Sequence, residues 1–92
     1  MTDIDTSGTG GVEFPCRFPI KVMGLAAEDF DALVVGIVVS HVGDISEGAV
    51  SVRGSRNGKY TAVTVTFEAR DQEQLDALYR ELSGHERILM VL

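Results

Sequence analysis

Ninety-two residues suffice for one domain and not two, and a chain this short buries roughly 60–65% of the surface it exposes when unfolded, so one thin core is all it can build. With 45% hydrophobic and 24% charged residues the composition is that of a globular protein and excludes disorder throughout. A net charge of −6 with scattered Lys and Arg disfavours nucleic acid as a partner, no apolar run approaches the ~20 residues of a membrane span, and a lone Cys16 excludes an internal disulfide.

Residues 1–12, rich in Thr, Asp, Ser and Gly, show no hydrophobic period and read as a disordered lead-in to a single domain over 13–92. The lead-in has no positive residue and no apolar stretch, so it does not read as a signal peptide, and a cytoplasmic location is expected. Phe18, Ile20 and Val22 alternate with Pro19, Lys21 and Met23, which predicts a half-buried strand over about 17–23, stopped by Gly24. Phe30, Leu33, Val34, Ile37, Val38 and His41 then fall on one helical stripe, predicting a helix over 28–41 with Glu28 and Asp29 in its first turn, where the helix dipole favours negative charge. Val34, Val35, Gly36, Val38 and Val39 are poor helix formers, so burial has to override their propensity.

After a loop, residues 49–53 predict a short strand with Val50 and Val52 inward, and Asn57-Gly58 marks the hairpin turn that follows. The strand over 60–69 is the clearest in the chain: Val63, Val65 and Phe67 point one way, Tyr60, Ala62, Thr64, Thr66 and Glu68 the other. Asp71 with Gln74 three residues on predicts a capped second helix carrying Leu75, Leu78, Tyr79 and Leu82, with Gly84 placed as its C′ residue. The apolar run 88–92 predicts a last, edge strand that needs covering.

Strand, helix, strand, strand, helix, strand specifies an α+β fold: a ferredoxin-like βαββαβ sandwich, with a four-stranded antiparallel sheet in order 4-1-3-2 and both helices on one face. The other face is left open, carrying Lys21, Met23, Ser51, Arg53, Thr64 and Thr66, with Leu89 and Val91 or their neighbours. Chemistry-bearing motifs are scarce. His41 and His85 have no Cys or His at ligand spacing, so no metal and no cofactor are expected. Ser40 and His41 are adjacent on a helix, where their side chains diverge, and no nucleophile–base–orienter set forms; the chain reads as a non-enzyme. RNA-binding domains of this fold stack bases on two or three aromatics of the open face, whereas Ala62 and Thr64 stand here.

Glu13-Phe14-Pro15, Phe18, Lys21-Val22-Met23-Gly24, Gly58-Lys59-Tyr60, Leu78-Tyr79 with Glu81-Leu82, and the terminal Met90-Val91-Leu92 together resemble the YbeD-like bacterial proteins, a family of unknown function. The resemblance covers residues 13–92 and implies a shape similar to the ACT regulatory domains of amino-acid enzymes. From that likeness a ligand site is expected at the turn after the first strand, Met23, Gly24, Leu25 and Ala26, with Glu28 beside it. The chain departs from the ACT pattern in having no Asp or Asn at the end of that strand to hold a ligand amine. The resemblance also implies a link to lipoate attachment, through the gene neighbourhood of family members.

The reading is a non-catalytic regulatory or adaptor domain that binds a small metabolite or a partner enzyme through that turn and through an open-face surface of Lys21, Arg53, Tyr60, Thr64 and Thr66. The alternative is a structural interaction module, pairing with itself as a homodimer or with another chain through its edge strand or sheet face.

Overall fold

The computed structural model describes residues 14–92; the predicted lead-in falls outside the described residues. Strand β1 spans Cys16–Leu25, helix α1 Phe30–Val42, strand β2 Val50–Gly54 after a short 3-10 turn at Glu47–Ala49, strand β3 Tyr60–Ala69, helix α2 Gln72–Gly84 and strand β4 Ile88–Val91. The sheet is antiparallel in order β2-β3-β1-β4, the predicted 4-1-3-2 read from its other edge.

Alternation decides which side chains are buried. Ile20 and Val22 on β1, and Val63, Val65, Phe67 and Ala69 on β3, face the helices and pack against Phe30, Val34, Ile37 and Val38 of α1 and Leu75, Leu78 and Leu82 of α2. Fully burying one such side chain is worth about 1.5–3 kcal/mol. That outweighs the few tenths each Val costs in helix propensity, which is why the valine-rich α1 is a helix at all. Phe18 extends the cluster, its ring 6.1 Å from that of Phe67 and edge-on to Tyr79 at 6.4 Å.

The two helices are tied end to end by one buried side chain. Gln74 accepts a hydrogen bond from the Arg70 N–H through Oε1 (2.7 Å) and donates through Nε2 to the His41 carbonyl (2.9 Å), while its own N–H donates to Asp71 Oδ1 (2.8 Å). The Asp71 cap is as predicted, and every polar end of the buried amide is satisfied.

Four local expectations are corrected. Gly24 does not stop β1: it sits within the strand, opposite Thr61 and Ile88, and is buried. A Cβ there would lie 2.5 Å from both the Phe30 ring and the Arg87 carbonyl oxygen, so the glycine makes room for the aromatic that anchors α1. Glu28 and Asp29 precede α1, which begins at Phe30. Gly84 is the last residue of α2 and not a left-handed C′; the left-handed glycine after a helix is Gly43, at φ 84°, following α1. Val52 is on the helix side of the sheet, opposite Val63, yet 51% exposed, because the helices pack over β3, β1 and β4 and leave edge strand β2 bare.

The last strand is irregular. Val22 pairs with Val91 and Met23 with Met90, but Gly24 pairs with Ile88, so the register slips by one residue and Leu89 is extra. This bulge turns Ile88 and Val91 toward the core and leaves Met90 and Leu92, neighbours of Val91, on the open face. Leu92 is held by two hydrogen bonds with Lys21, its N–H donating to the Lys21 carbonyl at 2.8 Å and its carbonyl accepting at 3.1 Å.

Candidate functional site

The open face is read in rows across the sheet. Leu92, Lys21, Thr64 and Ser51 form one row; Met90, Met23, Ala62 and Arg53 form the next; Leu25 and Tyr60 follow. Long side chains on β1 and β2 therefore flank short ones, Ala62 and Thr64, on β3. The result is a trough along β3, with a cleft of about 320 Å³ between Lys21, Met23, Arg53, Tyr60 and Ala62 and a smaller one of about 140 Å³ beside Ser51 and Thr64. Lys21 and Arg53 line both.

The hairpin fixes the Tyr60 end of this trough. Ser55 N–H donates to the Tyr60 carbonyl (2.9 Å) and its Oγ accepts from the Tyr60 N–H (3.0 Å), while Asn57 Oδ1 accepts from the Lys59 N–H (3.1 Å) and from Ser55 Oγ (3.0 Å). Gly58 takes the turn's positive φ of 72°. Lys59 Nζ then lies 5.7 Å from the centre of the Tyr60 ring, a cation–π placement.

Charge is sorted between the two faces. Arg17, Lys21 and Arg53 stand on the open face with Arg56 and Lys59 on the adjoining hairpin; among the strand residues of that face, Glu68, opposite Arg17, is the carboxylate. Among the described residues no carboxylate lies within ion-pair reach of Lys21 or Arg53, whereas ion pairs join Asp29 to Arg87 and Asp71 to Arg70, and Glu81 is hydrogen-bonded to His41, on the helix layer and its connections.

The turn predicted from the ACT likeness is placed differently. Met23 and Leu25 point to the open face, Gly24 points into the core, and Ala26 is exposed, its N–H donating to the Lys59 carbonyl at 2.9 Å. Leu25 and Ala26 open on a separate cleft of about 250 Å³ with Arg87 and Leu89; Glu28 is exposed and does not line it. The acid engaged at this turn is Asp29, whose carboxylate accepts both Arg87 guanidinium N–H groups at 3.0 and 2.8 Å. Those hydrogen bonds hold its carboxyl below the usual carboxylate range and raise Arg87 in turn. Burial raises the Tyr79 phenol, which packs against Phe18 and lines neither cleft.

Of the predicted open-face residues, the structure gathers Lys21, Arg53, Tyr60 and Thr64 at the trough and leaves Thr66 at the other end of the sheet. There it lines a polar cleft of about 500 Å³ with Arg17, Glu68 and loop residues 44–46, beyond the end of β2. That cleft was missed by sequence reasoning; its signal is the mismatch between a five-residue β2 and a ten-residue β3, which leaves 66–69 unpaired on that side. Ser40 Oγ donates to the Ile37 carbonyl at 2.7 Å while His41 Nε2 lies 2.7 Å from Glu81, so the adjacent pair is directed apart. Among the described residues no three His, Cys, Asp or Glu gather as a metal site, and no helix is long and apolar enough to cross a membrane.

The model of a protein family described as "Protein of unknown function (DUF493)" matches residues 10–92. A UPF0250 protein of Janthinobacterium sp. (strain Marseille) is 46% identical over 81 residues, covering 88% of this chain and 89% of that one. UPF0250 proteins of Nitrosomonas europaea and Neisseria meningitidis are 41% and 42% identical, over 88% and 91% of this chain and 93% and 92% of theirs. The solution structure of protein HP0495 from H. pylori superposes with a TM-score of 0.73 over 94% of this chain and 90% of that one, at 13% identity, a likeness of fold. The chain belongs to the DUF493 family, in agreement with the YbeD-like resemblance of its motifs.

Proposed function

We propose that this DUF493 member is a non-catalytic binding domain, regulatory or adaptor in role, and that its working surface is the open face of the sheet. The observation that carries the reading is the trough over β3, where apolar Met23 and Ala62 adjoin two cations without carboxylate partners among the described residues, in a chain of net charge −6. The separated Ser40 and His41 side chains support a binding role over a hydrolytic one. Of the expected turn of Met23, Gly24, Leu25 and Ala26, with Glu28, Met23 belongs to the trough, and the Ala26–Lys59 hydrogen bond ties the turn to the hairpin beside it. The likeness to ACT domains that the family resemblance implies favours regulation by a small metabolite or through a partner enzyme, with the lipoate link as its context.

Site-specific photo-cross-linking in living cells tests this. A photoreactive residue at Thr64 is expected to capture a ligand or partner, and the same residue at exposed Asp76 on the helix layer is not. Capture from Asp76 alone would overturn the siting.

A second reading, self-association, is favoured by one observation. Leu25, Met90 and Leu92 are 56, 49 and 63% exposed on the β1–β4 side of the same face. Sedimentation velocity across a hundredfold concentration range separates it from the first: a mass that doubles supports it, a constant monomer removes it.

A further inference from the structure

We propose that the trough over β3 takes a small molecule bearing one carboxylate or phosphate group on an apolar body. Lys21 and Arg53 hold the anion, and Met23, Ala62 and the Tyr60 ring receive the body. The inference rests on the open face being the binding surface and names what that surface recognises.

Geometry comes first. Lys21 and Arg53 stand on the two strands flanking β3, one row apart, so their Cα atoms are separated by two inter-strand spacings across the sheet and two residues along it, roughly 12 Å in all. Both side chains rise over the short Ala62 and Thr64, and both are long enough to close that gap over a single anionic group. Arg offers a planar fork of donors and Lys a compact point charge, a pairing suited to either headgroup.

Charge gives the second argument. Two like charges held on one face of a sheet repel, and an opposite charge on the strand between them would offset that. Here the intervening residues are Ala62 and Thr64, and Lys59 and Arg56 add to the positive field from the hairpin. An anion over β3 relieves that repulsion. Thr64 and Ser51, in the smaller of the two clefts, supply hydroxyl donors on the Arg53 side.

The apolar wall and the cleft size set the rest of the class. Away from the cations the trough is bounded by Met23, Ala62 and the Tyr60 ring, and about 320 Å³ lies at the lower end of small-molecule pockets. Tyr60 is the sole aromatic among the strand residues facing this side, too few rings to stack successive bases.

The test is a titration of ¹⁵N-labelled protein with hexanoate and hexyl phosphate, with hexanol (the tail without charge) and acetate (the charge without tail) as controls. Either acid is expected to shift the amides of Lys21, Met23, Arg53 and Ala62 to saturation, and the tighter of the two identifies the headgroup. The controls should bind about tenfold more weakly or less, and Lys21→Met and Arg53→Met should each weaken the acid about fivefold. Unchanged affinity in both variants, or acids that leave those amides unmoved, overturns the proposal. Hexanol or protein dilution shifting those amides where the acids do not would refute the ligand class and leave the open-face reading standing. Silence to every probe and to dilution would remove both.

Discussion

One face of the sheet is held together by its side chains and the other is only decorated by them. Ile20, Val22, Val63 and Val65 are fully buried beneath two helices, while their immediate neighbours Lys21, Met23, Ala62 and Thr64 share the same strands and the same ladder with no covering layer. The contrast separates the fold's requirements from whatever the domain is for. Substitutions pointing down should cost stability, and substitutions pointing up should cost binding.

The sharpest break of that contrast is at the anchor of α1. Phe30→Ala should destabilise the domain by about 3–5 kcal/mol, read as a lowered urea midpoint, because the buried ring leaves a cavity against β1. Gly24→Ala should cost about 1–3 kcal/mol in the same assay: the added methyl meets the Phe30 ring and a backbone carbonyl. Gly36→Ala is the matched control, an exposed helix position with nothing within 4 Å of the new methyl, and should stabilise by about 0.5–1 kcal/mol. Lys21→Met and Arg53→Met should stay within about 0.5 kcal/mol of wild type while losing affinity for acids; a large loss of stability in either would make the open face structural.

The Asp29–Arg87 pair sharpens the comparison at its weakest end. Because the folded carboxyl titrates below its unfolded value, the pair's contribution is present above about pH 4, the ordinary Asp value, and is lost as pH falls through the lowered folded one. Asp29→Asn should therefore lower the thermal midpoint slightly at neutrality, where the exposed pair's small contribution is complete, and flatten its fall on acidification, so that variant and wild type converge in acid.

How much of this was legible in the residues depended on whether the cause was local. The ten-residue alternation of β3 and the Asp71–Gln74 cap are written in adjacent positions, and strand order followed from the element sequence. Gly24 read as a stop because its reason, the Phe30 ring and the Arg87 carbonyl, comes from residues the local pattern does not connect to it. The exposure of Val52 depends on how far the helices reach, which alternation does not encode. In the run 88–92 every side chain is apolar, so the period of two is silent and the bulge at Leu89 leaves no trace. The trough was only half visible: Lys21 and Arg53 could be put on one face, but their convergence over Ala62 is a matter of register.

That extra leucine has a consequence for solubility. Strand β4 presents an outer edge of Ile88, Leu89, Met90 and Val91 with neither the lysine nor the proline that commonly keeps such an edge from seeding intermolecular strand growth. A bulge interrupts the regular spacing of backbone donors and acceptors and increases local twist, so a foreign strand meets a broken template. Deleting Leu89 would restore an even ladder against β1 and flatten that edge. The shortened protein should then aggregate faster on heating, although its paired strands would match better than before.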